Sequence, residues 1–206
     1  MDKREHTKEK ILKAAEKHFA DFGFEGARMD KIAIDARVNK ASIYYNIGNK
    51  EALYSQVLNK AFDRRFSSIK DVIKADLPAE KKLETYARYL AKGLEENPVI
   101  SKIMMREQIS QGEHMPASFI SNIVKLLDCL SMILEQGYKE NVFQKVDTVT
   151  IHFMILGTLL FQMTSSIIRR NKEGFPQKYK PDHGVLPGSA QDYVVEYILK
   201  AVKKEK

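Results

Sequence analysis

The sequence predicts an all-α protein. Apolar residues recur at helical spacing almost from end to end, glycine and proline fall between the periodic stretches, and no run alternates as a strand would. With 206 residues the chain allows one domain or two small ones. It is long enough to bury a core without disulfides or metals. About nine helices are expected: a three-helix head in residues 1–50 and a larger helical body in residues 51–206.

Each element has its own signature. Ile11, Ala15, Phe19 and Phe22 share one face of a first helix over residues 7–22. Gly23 follows and can take the left-handed conformation that closes a helix. Thr7 either caps this helix or clamps a phosphate, capping being the stronger reading. Ile32, Ala33 and Ala36 mark a second helix over 29–36, and Ile43 and Ile47 a third over 40–47. The link between them is only Arg37-Val38-Asn39, with Asn39 suited to cap the third helix and Val38 to plug the gap. Gly48 ends that helix, and Asn49 caps a long fourth one with Leu53, Val57, Ala61 and Phe62 on its apolar side, reaching about residue 75. Pro78 stops it and can open the next. Further helices are expected over 79–96, 98–111, 116–136 and 146–170, separated by Asn97-Pro98, Gly112, Pro116 and Gly137. A loop rich in Gly, Pro and Lys precedes a last helix over 189–203.

Composition narrows the function. Lys and Arg number 34 against 27 Asp and Glu, a net charge of +7 that suits an anionic partner or merely a solvated surface. The single cysteine, Cys129, cannot form an internal disulfide, and its apolar setting makes it a small core residue. His6, His18, His114, His152 and His183 form no metal-binding pair, so no metal or cofactor is expected. No nucleophile elbow, phosphate loop or nucleotide fingerprint appears, which argues against an enzyme. No apolar leader follows Met1, and the most apolar run, residues 151–161, falls short of the ~20 residues of a membrane span. The expectation is a cytoplasmic protein with no membrane association.

Residues 29–47 read as helix, short turn, helix. The pattern alone is weak, and the content of its second helix strengthens it. Lys40, Ala41, Ser42, Tyr44, Tyr45 and Asn46 lie away from Ile43 and Ile47. A bland exposed helix would favour Glu/Lys pairs. A DNA-reading helix wants hydrogen-bonding groups that reach base edges and small residues that permit close approach.

The set Ile11-Leu12, Ala14-Ala15, Phe19, Phe22-Gly23-Phe24, Ile32-Ala33, Val38 through Tyr45 and Lys50-Glu51-Ala52-Leu53 resembles the DNA-binding head of the tetracycline-repressor (TetR) family. The match covers about residues 7–58; beyond it, only length, helical pattern and the Gly137 to Phe143 region agree. The resemblance implies a homodimer on a palindromic double-stranded operator, released by a small-molecule effector bound in the helical body. Most members repress; an activator of the same fold is the alternative. A helical interaction or membrane-surface protein is a more distant one.

The resemblance also distributes roles. Lys40 contacts a guanine edge or a phosphate, Ala41 approaches a thymine methyl, Ser42 bonds a base or phosphate, and Asn46 a phosphate or adenine. Of Tyr44 and Tyr45, at least one touches the backbone, while one can instead pack on the first helix. Lys50 resembles the family's phosphate-binding lysine, with a plain surface charge as the alternative. The departures are Ala27 and Arg28 where small hydroxyl residues are common, Arg37 and Ala41 where Gly is frequent, and Asn46-Ile47 in place of His-Phe. They suggest a different operator. Arg28 can reach a phosphate, and Arg37 would bear ~1–2 kcal/mol of strain if its position is left-handed. Its side chain then either contacts a phosphate or is simply solvated.

In the body, Phe62, Phe66, Tyr86, Tyr89, Met104, Met105, Phe119, Ile123 and Phe153 are core residues or the wall of a hydrophobic effector pocket. Arg106, Gln108, Asn122, His152 and Gln162 are polar groups among them, either satisfied at a helix surface or orienting a ligand; Arg106 and His152 are the pocket candidates. By position, the last two long helices match the family's dimerisation pair. Gly157, Thr158, Leu159, Phe161 and Met163, with Tyr193, Tyr197 and Ile198, are the candidate seam.

Overall fold

A computed structural model describes residues 3–181 and 188–205, with residues 3, 61, 63–68 and 188–190 described by backbone only. Nine α-helices are present among them: α1 (Lys3–Gly26), α2 (Met29–Asp35), α3 (Lys40–Asn46), α4 (Lys50–Lys74), α5 (Ala79–Glu96), α6 (Pro98–Ile109), α7 (Ala117–Lys139), α8 (Thr148–Asn171) and α9 (Gly188–Val202). A 3-10 turn, Gln177–Tyr179, lies in the long loop. No strand occurs among the described residues; Phe143 and Lys203 form one isolated antiparallel bridge.

The chain forms two compact units, residues 1–64 with 99–122 and residues 65–98 with 123–206. The first therefore gathers α6 and the start of α7 beside the three-helix head. Its α1, α2 and α3 pack on one another around Ile11, Ala15, Phe19, Ile32 and Ile43, all buried. In the second, α5, α8 and α9 pack together around Leu83, Tyr86, Ile155, Leu159 and Ile198.

Local chemistry accounts for the helix ends. Gly23 leaves helical geometry at φ 72°, ψ −179°, breaking α1 where the sequence places its end. Asn39 caps α3 by accepting from Ser42 N at 2.7 Å, and Asn49 caps α4 by accepting from Ala52 N at 2.9 Å. Each cap is worth about 1 kcal/mol. Asp147 does the same for α8 through Thr150 N and Oγ1, both at 2.7 Å. Pro78 stands at the N-cap of α5.

Three expectations are corrected. Thr7 does not cap α1, because the helix already begins at Lys3. Gly137 does not end a helix: it is buried inside α7, and a Cβ there would lie 2.0 Å from Cδ2 of the buried Phe143. The residue is small so that the returning chain can seat Phe143, whose neighbours Val142 and Gln144 bond to Lys204 N and Val202 O. Leu159, Met163 and Ile198, expected in a seam between chains, are buried within this one. They share the inner rotation of their helices with Ile151, Ile155 and Val202.

Two helices, α7 and α8, are long and apolar enough to cross a membrane by length and composition, although the apolar run read from sequence was shorter. The inner face of α8 nonetheless buries His152 and Ser166, both hydrogen-bonded within the protein.

Candidate nucleic-acid interface

Ile43 sets the rotation of α3. It is fully buried, so the residues around it turn outward. Lys40 and Ala41 are exposed, Ser42 and Asn46 half-buried, and Tyr44 and Tyr45 exposed at 49% and 76%. Both tyrosines of the pair thus face solvent. Arg4 of α1 lies over the Tyr45 ring, 5.4 Å from its centroid. Asn46 turns its amide nitrogen back onto Ser42, donating to the carbonyl at 2.7 Å and to Oγ at 3.2 Å. The two polar side chains most suited to base edges are therefore coupled.

The surrounding cations divide into paired and unpaired. Arg28 grips Asp30 with two hydrogen bonds, 2.9 and 3.1 Å, and that guanidinium holds the Asp30 carboxyl below its usual range. A phosphate would have to compete with Asp30 for it. Lys50 donates to Glu25 O at 3.1 Å and sits 4.6 Å above the Phe24 ring. Arg37 occupies the left-handed region, φ 56°, at an exposed position, and bears the strain its place in the turn implies.

The interface rests on contacts that local sequence does not announce. His18, buried on α1, pairs with Asp35 at the end of α2 at 2.7 Å. Phe24 and Glu25, just past the α1 break, meet His114, which stacks on the ring at 4.3 Å and pairs with the carboxylate at 3.1 Å. Arg106 donates to Ala20 O at 3.0 Å and Asp21 O at 2.6 Å, satisfying carbonyls where α1 ends. Below them the buried Tyr54 hydroxyl donates to the buried Glu107 carboxylate. His114, Glu107 and Asp35 carry no motif. They are recognisable only once residues far apart in sequence are neighbours.

The pocket candidates are divided between the two units. Met104, Met105, Arg106 and Phe119 belong to the first unit; Tyr86, Tyr89, Ile123, His152 and Phe153 belong to the second. Phe62 is half-buried, and the Phe66 side chain lies outside the described residues. Arg106 is engaged by the α1 carbonyls, and Phe153 is exposed. The structure does bring Tyr86 and His152 together. Both are buried, with the phenol oxygen 2.7 Å from Nδ1. Burial pushes the tyrosine up and the histidine down, which favours the neutral form of both partners. Of the other polar residues, Asn122 donates to Asn59 and Gln162 accepts from Arg169. Cys129 is buried, and burial pushes its thiol up. No group of three metal-ligating side chains occurs among the described residues.

A capped seven-residue helix, buried by one isoleucine and presenting tyrosines, amide, hydroxyl and amine outward, defines a helix-turn-helix DNA-binding regulator. The chain matches the model for bacterial regulatory proteins of the tetR family over residues 11–57, and that for the tetracyclin repressor-like C-terminal domain over residues 79–170. It belongs to the TetR family and is a transcriptional regulator, not an enzyme. It is 28% identical to the transcriptional repressor NicS of Pseudomonas putida over 79% of this chain and 77% of that one. To the transcriptional regulator RutR of Escherichia coli it is 27% identical over 72% and 69%. Among solved structures, a variant of HlyIIR superposes with a TM-score of 0.73 at 25% identity, covering 98% of each chain.

Proposed function

We propose that this regulator is a homodimeric, cytoplasmic repressor. Residues 1–50 read a palindromic operator through α3, and residues 51–206 dimerise and bind a small, mainly hydrophobic effector that releases the DNA. The observation that carries the DNA-reading half is the outward face of α3: Tyr44 and Tyr45 exposed beside Lys40, Ala41, Ser42 and Asn46 while Ile43 alone is buried. A face with that content has little use other than a groove edge and its phosphates. Repression is supported by the likeness to NicS, a repressor by name.

Dimerisation is supported by the apolar surface of α8 and α9. Phe161, Tyr193 and Tyr197 are 67%, 55% and 60% exposed. Gly157 has nothing within 4 Å of where a Cβ would lie, which leaves room for a second helix to approach. A two-fold dimer places two copies of α3 at successive major grooves, ~34–36 Å apart. The effector would favour one of two dimer states, and its effect is bounded by its differential affinity for them. Within the body, the Tyr86–His152 pair is the polar feature suited to orient such a ligand.

The experiment is selection of duplexes from a random library by the purified chain. A recovered palindrome with half-sites about one helical turn apart, or a multiple of it, is expected. Enrichment of no sequence, or of a non-palindromic one, overturns the reading.

A further inference from the structure

We propose that a groove between α1 and the α2–α3 turn is a second DNA-backbone site, holding the phosphates of duplex that flanks the operator core. This rests on the reading of α3 as the DNA-reading helix.

Lys10, Lys13 and Lys17 line the groove from α1, and Arg37 lines it from the turn. Spacings of three and four keep the lysines on one side of the helix, where all three are exposed. None of these four cations makes an ion pair among the described residues. The groove also holds two acids, Glu16 and Asp35. Asp35 is also bonded by His18, so the groove sets four cations without an ion pair against two acids. Elsewhere on the unit several cations are engaged: Arg28 has Asp30, Lys50 has the Glu25 carbonyl, and Arg106 has two carbonyls. The groove gathers four that are not onto one surface.

Arg37 adds a second, independent observation. Its φ of 56° is one that glycine adopts without strain and arginine does not. Strained backbone of this kind concentrates where a side chain is used. A guanidinium is the group that grips a phosphate with two parallel hydrogen bonds.

Geometry selects a polyanion over a lone phosphate. Seven residues of α-helix separate Lys10 from Lys17, about 10 Å. Duplex DNA carries a charge for about every 1.7 Å of its axis, so a row of that length meets several. Arg37 stands three residues before Lys40, placing the rim of the groove within about 11 Å of the first residue of α3. A duplex read by α3 is therefore the nearest polyanion.

The test uses the full chain and a labelled duplex that the wild-type protein enriches from a random library. The duplex is prepared at core length and with about 10 unrelated base pairs, one helical turn, added to each side. Affinity is measured by anisotropy across a salt series. Wild-type protein is expected to bind the longer duplex tighter and with a steeper salt dependence. The Lys10→Gln/Lys13→Gln/Lys17→Gln variant should bind the core as wild type does and lose the gain from the flanks. Its slope on the longer duplex should shrink by up to about 0.9 for each lysine. Arg37→Gly should lower flank binding while raising the melting temperature, since glycine relieves the strained φ; this separates lost contact from lost fold. A wild-type protein that gains nothing from flanks overturns the groove assignment, as does a triple variant that keeps the gain or weakens both lengths equally. If the wild type enriches no duplex at all, the α3 reading fails and the groove falls with it.

Discussion

Aromatic rings are exposed both on α3 and on α8 and α9, and what surrounds the rings tells these surfaces apart. On α3, Tyr44 and Tyr45 stand with Lys40, Ser42 and Asn46, and Arg4 covers the Tyr45 ring. On α8, Phe161 stands with Met154, Thr158 and Ile168, all exposed and spaced by three, four and seven along one stripe. On α9, Tyr193 and Tyr197 stack on each other with centroids 6.0 Å apart. A phenol among amines and amides is matched to phosphate and base edges. A ring among methionine and isoleucine is matched to another apolar surface, because only such a surface removes it from water without stranding polar groups. Exposure alone would have grouped these rings together; their neighbours divide them into the proposed nucleic-acid face and the proposed protein face.

The largest effect should come from the apolar stripe. Phe161→Arg places a charge at the centre of the proposed seam and should weaken dimerisation by at least about 30-fold, as loss of an interface hot spot does. Sedimentation equilibrium reads this directly, and operator affinity should fall with it. An unchanged association state would reduce these rings to surface decoration. On the other face, Tyr45→Ala should lower DNA affinity by about tenfold, ~1–2 kcal/mol, with dimerisation and melting temperature unmoved. A Tyr45→Ala protein that loses its dimer would erase the distinction between the two faces.

Beneath each face lies a buried tyrosine whose partner differs in kind. Tyr54 donates to the Glu107 carboxylate, of which Oε2 has no partner among the described residues, while Tyr86 shares a hydrogen bond with a neutral imidazole. Removing a donor costs more when the acceptor left behind is a carboxylate. Tyr54→Phe should therefore destabilise by about 2–3 kcal/mol and Tyr86→Phe by about 1, measured by urea denaturation. The imidazole also sets a pH dependence. Burial holds His152 below its usual 6.5, so the unfolded chain binds the proton more readily. This contribution to stability is complete above about pH 6.5 and is lost as the pH falls below it. The melting temperature of wild type should drop between pH 7 and 5 more than that of His152→Asn.

What the sequence revealed follows the range of the forces involved. Helix interiors and most ends were legible because periodicity and capping are local: Asn39, Asn49 and Pro78 sit where their chemistry puts them. The α3 face was legible because one residue, Ile43, fixes its rotation. Gly137 was misread because a glycine that admits a distant Phe143 looks, in sequence, like one that ends a helix. Leu159, Met163 and Ile198 were misplaced because α8 and α9 are apolar on both faces, so composition does not say which face is inside. The His18–Asp35, His114–Glu25 and Tyr54–Glu107 pairs join residues 17, 89 and 53 positions apart. No spacing rule reaches that far.

The smallest effect is also the finest test of the contrast between the two faces. Lys50 holds the corner after α1, donating to Glu25 O and covering the Phe24 ring, yet an ammonium has three donors and this bond uses one. The remaining donors suit a phosphate. Lys50→Ala should then weaken binding about equally on every duplex and take about 0.9 off the salt slope. It should cost under about 1 kcal/mol of stability, the scale of an exposed cation–π contact. The Phe161→Arg defect, arising from apolar association, should instead persist at high salt, where screening removes charge effects. If Lys50→Ala leaves the slope unchanged and lowers only the melting temperature, Lys50 is a brace for the Phe24–Glu25 corner. The nucleic-acid face would then be carried by α3 without it.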